Sequence, residues 1–285
     1  MILLDLSQVM ISNIMAQVGS SHVDAVQPDL VRHMVINTIR TLKTKFGPEY
    51  GDLVIAADDR KYWRREMFPA YKGTRKADRE KSGIDWHFLF DTLNQIKEEI
   101  KENFPYPVIQ VEGAEADDVI GTLVMKYGEI LNSGEKILIL SGDKDFVQLQ
   151  KYGNVRQYDP VRKKEMTAAN PELFLQHLVL AGDRGDGVPN VLSPDNCLVE
   201  GQRQKALRET KIDQILEQPF ESLPEDIQRN WKRNQMLIDL QYIPQYVQQN
   251  VVNEYNQQLN KPRNKIFNYF IKHKMKLLME NINDF

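Results

Sequence analysis

The chain has 285 residues, 41% of them hydrophobic and 27% charged, enough for one large domain or two modest ones with a real core. Its single cysteine, Cys197, excludes an internal disulfide framework and a Cys-based zinc site. No apolar run approaches the roughly 18 residues of a membrane span, and a formal net charge of −3 runs, as a sum, against a polyanion binder.

In chain order, the first predicted element is a strand over Ile2–Leu4. Met1 leads directly into it with no basic stretch or cleavable apolar segment, so we expect no signal peptide and a cytoplasmic protein. Leu30, Val31, Met34, Val35, Ile39 and Leu42 recur at helical spacing and predict a helix over 29–45. A strand over Leu53–Ala57 precedes a basic insertion, and a helix follows over 86–103. Next come a strand at Val108–Val111, a helix over 116–131 and a strand at Lys136–Leu140. Val155–Tyr158 and Lys163–Met166, with Asp159-Pro160 between them, read as an antiparallel hairpin closing the sheet. Alternating strands and helices indicate an α/β domain, a mostly parallel sheet flanked by helices. After about residue 168 strand signals fade. Asn170-Pro171 opens a helix, Pro189 and Pro194 punctuate a loop, and helices are expected over Leu207–Leu216, Ile227–Leu240 and Ile266–Leu278. We read a division into 1–168 and a smaller helical domain over 169–285.

Acidic residues follow the strands with regularity. Asp5 follows the first and Asp58 the second; Glu115, Asp117 and Asp118 follow the third, Asp143 and Asp145 the fourth. Ligands of an open parallel sheet bind outside the carboxyl ends of its strands, so four strands deliver acids to one edge. Asp183 and Asp186 join from the entry to the helical part. Singly, each acid has a simpler reading: turn residues at Asp5 and Asp58, helix-dipole partners at Asp117 and Asp118, a cap at Glu115. Asp143 and Asp145 equally suit a cap on a short helix at 146–151. Glu115 and Asp118 share a helix face that Asp117 does not. Jointly, crowded carboxylates call for cations, and hard oxygen donors suit magnesium or manganese. Two such ions can activate water and steady a leaving oxygen in phosphoryl displacement. Setting these nine acids aside leaves 37 basic against 31 acidic residues, or +6, a basic surround for an acidic pit. Scattered histidines, the missing nucleophile elbow and the missing Walker loop offer no competing chemistry.

The segments Glu115-Ala-Asp-Asp118, Ser141-Gly-Asp-Lys-Asp145 and Ala181-Gly-Asp-Arg-Gly-Asp186, in this order and spacing, resemble the 5′-nuclease superfamily of flap endonucleases and polymerase-associated 5′-exonucleases. Within it the chain is most similar to bacteriophage members, through Lys61–Arg65, Leu237–Asp239 with Tyr242–Pro244, and Ile282–Phe285, over nearly its whole length. The resemblance implies a PIN-like metal-binding domain with an arch-like insertion at about 60–85, and a helical DNA-binding domain. It further implies a structure-specific 5′-nuclease with 5′→3′ exonuclease, flap endonuclease and ribonuclease H-like activity, removing RNA primers and adjacent DNA in phage replication. Two magnesium ions, replaceable by manganese, are implied. By position Asp5, Asp58, Glu115 and Asp117 surround the first, and Asp118, Asp143, Asp145, Asp183 and Asp186 the second.

Arg64, Lys72 and Arg75 match the family's catalytic cations, and positive charge beside a scissile phosphate offsets charge gathering in the transition state. Tyr71 offers a stacking face for an unpaired base, and Arg65 and Lys76 add contacts to nucleic acid. The family's Gly-rich hairpin after the last aspartates is replaced here by Gly187–Asn196, which lacks the repeated glycines. Side chains of Arg203, Lys205 and Arg208, on one helix face, are expected to hold the backbone instead. Implied partners are branched or flapped DNA, RNA–DNA hybrid and a single-stranded-DNA-binding protein, with a monomeric enzyme in the host cytoplasm. Alternatives are a PIN-type ribonuclease, disfavoured by the long insertion and second domain, and a non-catalytic branched-DNA-binding module. A haloacid-type phosphatase requires an aspartate where Ser7 stands.

Overall fold

The computed structural model describes residues 1–18, 27–130 and 136–285. Strand β1 (Ile2–Asp5) is buried along its whole length, as an inner strand of a parallel sheet must be. Helices α1 (Leu6–Val18) and α2 (Pro28–Tyr50) follow it. Beyond β2 (Leu53–Ala56) lie α3 (Trp63–Met67), α4 (Arg75–Lys81) and α5 (Trp86–Asn103), the last capped by Asp85, whose side chain accepts from Phe88 N–H at 2.9 Å. Then come β3 (Val108–Ile109), α6 (Ala116–Ile130), β4 (Ile137–Leu140), a 3-10 helix over Lys144–Lys151, β5 (Val155–Asp159) and β6 (Lys164–Met166). The expected end of α6 at 131 lies outside the described residues.

The six strands stand in the order β3-β2-β1-β4-β5-β6, parallel except for the final β5–β6 pair. The chain therefore walks outward from β1 to β3, then jumps back across β1 to place β4. Alternation along the strands feeds two cores. Ile2, Leu4, Leu53 and Ile55 face α1, α2 and α5, whereas Leu3, Val54 and Ala56 face α6 and the 3-10 helix. Helix α2 extends past the expected end to Tyr50, because Pro48 sits near the terminus and the Gly51 N–H still closes on Gly47 O at 2.8 Å.

The C-terminal half is helical as expected, and one of its helices packs back into the sheet's own core. Helix α7 (Pro171–Ala181) is capped by Asn170, whose side chain accepts from the N–H groups of Glu172 and Leu173. With α8 (Glu209–Leu216) and α9 (Glu225–Ile238) it leads into a small core of Leu180, Val191, Ile212, Ile215 and Leu223. The Gln-rich stretch then forms α10 (Gln245–Gln257), which buries Val247 and Val251 against α6 in the sheet's own core. Burying each such side chain contributes on the order of 1.5–3 kcal/mol. Gln258 brackets Val108, accepting from its N–H at 2.9 Å and donating to its C=O at 2.8 Å, and so covers the edge strand. The predicted helix over 266–278 is broken into α11 (Ile266–Lys272) and α12 (Lys276–Glu280). Lys274 adopts φ 53°, and the Lys274 and Met275 amides close on Ile271 O and Phe270 O, a Schellman ending that turns Met275 and Leu278 into the first core.

Candidate active site

The order of the strands reverses between β1 and β4, and a crevice opens at the carboxyl ends there. Asp5 ends β1. Its Oδ1 accepts from Gln8 N–H and its Oδ2 from Ser141 Oγ, both at 3.1 Å, while Gln8 Oε1 accepts from Gly142 N–H at 3.1 Å. These bonds sew the end of β1 to the turn after β4. Asp58, beyond β2, accepts from Ala116 N–H at 3.0 Å and so pins the start of α6. Asp143 caps the 3-10 helix through Asp145 N–H at 2.9 Å. Asp5, Asp58, Asp117, Asp143 and Asp186 line one cavity of about 460 Å³ together with Lys72 and Arg75.

The acids act on one another. Burial, then the charges of Asp58 and Asp143, pushes Asp5 up to about 7. Burial and Asp143 hold Asp117 well above the usual carboxylate range, and burial with Asp143, Asp186 and Asp183 does the same to Asp145. Asp145 Oδ1 is buried without a hydrogen-bond partner. Asp186 runs the other way: burial would raise it, but Lys72 and Arg75 outweigh burial and hold it below its ordinary value. Among the described residues no three such groups close on one point as a finished cage. The donor set nonetheless fits a hard divalent cation: oxygen ligands only, a buried orphan oxygen, and acids whose charge is uncompensated without one.

Several expected site residues lie elsewhere. Arg64 is 2% exposed, donating to Leu237 O at 2.8 Å and to Glu115 Oε2 at 2.9 Å, with Asp118 Oδ1 2.8 Å away. It is a buried tie between carboxylates, not a cation open to a scissile phosphate. Asp118, 0% exposed, also takes the Trp63 indole N–H and its neighbour Glu115 N–H. Its charge is spent inside the protein, which corrects its expected place beside the second metal. Glu115 shares the Arg64 tie and pairs with Lys72 through its other oxygen, so both oxygens are engaged within the protein, which corrects its expected place beside the first metal. Tyr71, 2% exposed, packs with Phe68, Leu178, Val179 and Leu237, so it offers no stacking face. Its hydroxyl sits 2.9 Å from Asp186 Oδ2 and 3.1 Å from Glu115 Oε2. Asp183 stands beside the cavity, paired with Lys144 at 2.8 Å and accepting from Asp186 N–H at 3.1 Å.

The insertion expected to form an arch is therefore half core. Residues 63–72 carry buried Trp63, Arg64, Phe68 and Tyr71, whereas α4 buries none of its residues. Its base is locked to the segment after the last aspartates. A side chain at Gly187, φ 71°, would stand 2.7 Å from Ala70 O, so only glycine permits this contact. Beyond α4 a groove of about 1000 Å³ is lined by Lys81, Arg184, Arg203 and Lys205. Arg203 and Lys205 lie on a non-helical segment, correcting the expected helix face, with Lys205 N–H bonded to Ser193 Oγ and Lys205 O to Asn190 Nδ2. Arg65 and Lys76 are exposed and line neither cavity. Within 187–196 the carbonyls of Pro189, Val191 and Ser193 are taken by the side-chain amides of Asn230 and Asn234.

Residues 2–178 match the family of 5′-3′ exonuclease N-terminal resolvase-like domains. The chain belongs to the 5′-3′ exonuclease family. Residues 169–285 match the C-terminal domain of T4 ribonuclease H. The chain is 35% identical to ribonuclease H of Enterobacteria phage T4, over 99% of this chain and 95% of that protein. It is 33% identical to flap endonuclease Xni of Shewanella piezotolerans over 45% of this chain and 49% of that one. Among solved structures, a bacteriophage T5 protein co-crystallised with metal ions aligns with TM-score 0.60 at 19% identity, covering 90% of this chain and 98% of that one. A T5 flap endonuclease in a pseudo-enzyme-product complex with DNA and metal ions aligns at TM-score 0.59 and 18% identity, with the same coverage. These likenesses establish the fold, and membership of the 5′-3′ exonuclease family makes the protein a structure-specific 5′-nuclease. No helix among the described residues is long and apolar enough to cross a membrane.

Sequence reasoning about this 5′-3′ exonuclease missed Gln8 and Ser141, which orient Asp5, and Arg79, Trp86 and Phe90, which line the acid cavity. Ser141 stands within a motif already singled out. Gln8 and the aromatic residues carry no pattern in the sequence that separates them from ordinary helix positions.

Proposed function

We propose that the protein is a magnesium-dependent 5′-nuclease that removes RNA primers and adjoining DNA from branched substrates during phage replication. The observation that carries this reading is one cavity in which Asp5, Asp58, Asp117, Asp143 and Asp186 meet the cations Lys72 and Arg75. Asp5, Asp58 and Asp117 on one side, and Asp143, Asp145, Asp183 and Asp186 on the other, are the residues to hold two magnesium ions, with manganese as substitute. The chemistry supplied when those ions are bound is activation of water and neutralisation of charge on the phosphate.

The chain's own groups do the rest. Burial would neutralise Lys72, but Asp186 and Glu115 raise it above its ordinary value, so it enters the reaction as an ammonium. With Arg75, likewise raised against burial by Asp186, it faces the cavity where negative charge grows on the phosphate. Arg64 holds Glu115 and Asp118 in place from behind. The groove of Lys81, Arg184, Arg203 and Lys205 receives the sugar-phosphate backbone on the far side of α4 without reading bases. The enzyme acts as a monomer in the host cytoplasm, on flapped DNA and RNA–DNA hybrid, alongside a single-stranded-DNA-binding protein.

The test compares matched 5′-flap, 3′-flap and blunt duplexes, with DNA or RNA 5′ segments, in two unrelated sequences. Magnesium-dependent release of short products from the 5′ side, independent of sequence, is expected. Equal cutting of the 3′-flap, or activity surviving exhaustive chelation, refutes the proposal.

A further inference from the structure

The acid cavity has a second kind of wall that metal and phosphate chemistry leaves unused. Besides the carboxylates it is lined by Ile11, Arg79, Trp86 and Phe90. Trp86 opens α5 and Phe90 follows one turn later, their ring centroids 5.6 Å apart and their planes tilted by 30°. The indole N–H donates to Ser82 Oγ at 2.7 Å, which fixes the rotation of the ring. Trp86 rests partly against the core, whereas Phe90 belongs to none of the hydrophobic clusters. Arg79, from α4, lies over both rings, its guanidinium carbon 5.6 Å from the Trp86 centroid and 4.6 Å from that of Phe90.

Arg79 makes no ion pair among the described residues. An aromatic pair that is only half-buried, with an unpaired guanidinium above it, is poorly matched to water and to a bare metal ion. It is well matched to a nucleotide, which brings a flat π face and a charged phosphate together. The aromatic residues share their cavity with Asp5, Asp58 and Asp143, so the nucleotide they meet is one beside the bond being cut.

We infer that Trp86 and Phe90 form the stacking platform for the unpaired base adjoining the scissile phosphate, with Arg79 moving off the rings it covers to take the neighbouring phosphate. This rests on the 5′-nuclease reading and deepens it: the platform does the work that the buried Tyr71 cannot. Stacking accepts every base, so the platform positions the strand without imposing sequence preference.

The test places 2-aminopurine at the first unpaired nucleotide of a 5′-flap and follows its fluorescence on binding in calcium, with no turnover. Wild type should quench the probe. Trp86→Ala should lose most of the quenching and bind about tenfold more weakly, Phe90→Ala should lose part, and Trp86→Phe should keep most of both. Wild type should lose a similar factor on a flap that is abasic at that nucleotide, and Trp86→Ala should lose nothing further there. The abasic comparison needs no variant, so it decides the matter even if Trp86→Ala fails to fold. Undiminished quenching in Trp86→Ala and Phe90→Ala, or equal wild-type affinity for base-bearing and abasic flaps, overturns the platform. Absence of magnesium-dependent cleavage by wild type would instead count against the nuclease reading, and leaves the fluorescence result standing.

Discussion

Lys72 holds Asp186 twice, through a backbone N–H donated to Asp186 O at 2.7 Å and through an ammonium 3.8 Å from Asp186 Oδ2. The residue adopts φ 54°, a left-handed conformation that costs a non-glycine residue about 1 kcal/mol or more. The contact joins the base of the insertion to the last aspartates, so the cation and the acid enter the cavity as one unit. Lys72→Ala removes the charge but keeps the backbone bond. Its single-turnover rate is expected to fall ten- to a hundredfold, about 1.4–2.7 kcal/mol, with affinity for a 5′-flap in calcium nearly unchanged. A change confined to the dissociation constant would make Lys72 a phosphate anchor.

Arg64→Met should act on stability before chemistry. It strips the shared partner from two carboxylates, Glu115 and Asp118, that have no water to turn to. Breaking a buried ion pair from one side costs about 3–5 kcal/mol, readable as a lowered urea midpoint. Adding Asp118→Asn should restore part of the loss, since one stranded charge is gone. An unchanged midpoint in Arg64→Met would return Arg64 to the substrate side.

Asp145→Asn separates the metal from the fold. In metal-free protein its carboxyl is crowded by Asp143, Asp186 and Asp183, so the neutral amide should melt no lower than wild type in chelator. The upward shift that magnesium gives wild type should shrink, because a ligand that binds only the folded state stabilises it by mass action. Cleavage should be largely lost while flap binding persists. A full magnesium shift in the variant would remove Asp145 from the metal set.

The basic groove makes a quantitative prediction about salt. Each side chain that neutralises a phosphate contributes about 0.9 to the slope of log affinity against log salt on duplex. Arg203→Ala and Lys205→Ala should each flatten that slope by about this amount and weaken binding uniformly across sequences. Binding isotherms between about 50 and 200 mM salt decide it; unchanged slopes in both variants would place the backbone elsewhere.

Away from the site, Glu99 on α5 ties α11 to α2. It accepts from Arg32 Nε at 2.7 Å and from Tyr269 OH at 2.8 Å. Burial alone would raise its carboxyl, but Arg32 and Tyr269 hold it below its ordinary value. A depressed acid contributes stability that is present above its unfolded pKa and lost as pH falls through the folded one. Glu99→Gln should therefore melt below wild type at neutral pH, with the gap closing as pH falls below about 4. A gap independent of pH would mean that packing, not charge, is what the substitution removes.

Much of the architecture is legible in the chain itself, because strands and helices announce themselves through local periodicity. Residues 2–4, 53–57 and 136–140 could be little but buried strands, and acids placed directly after them must gather at one edge of any parallel sheet. Even the separation of Asp117 from Glu115 and Asp118 follows from helical spacing, and the structure turns Asp117 toward the cavity while Arg64 binds the other two. What local sequence does not encode is which polar groups are buried. Tyr71 and Arg64 read as surface residues of a basic loop until Leu178, Val179 and Leu237, more than 100 residues later in the chain, close over that loop. Trp86 and Phe90 read as the apolar face of a helix, and only the crossing of α4 brings Arg79 over them beside the acids. Periodicity is a property of neighbours along the chain, whereas burial and charge pairing are properties of neighbours in space, and the second set exists only once the fold has closed.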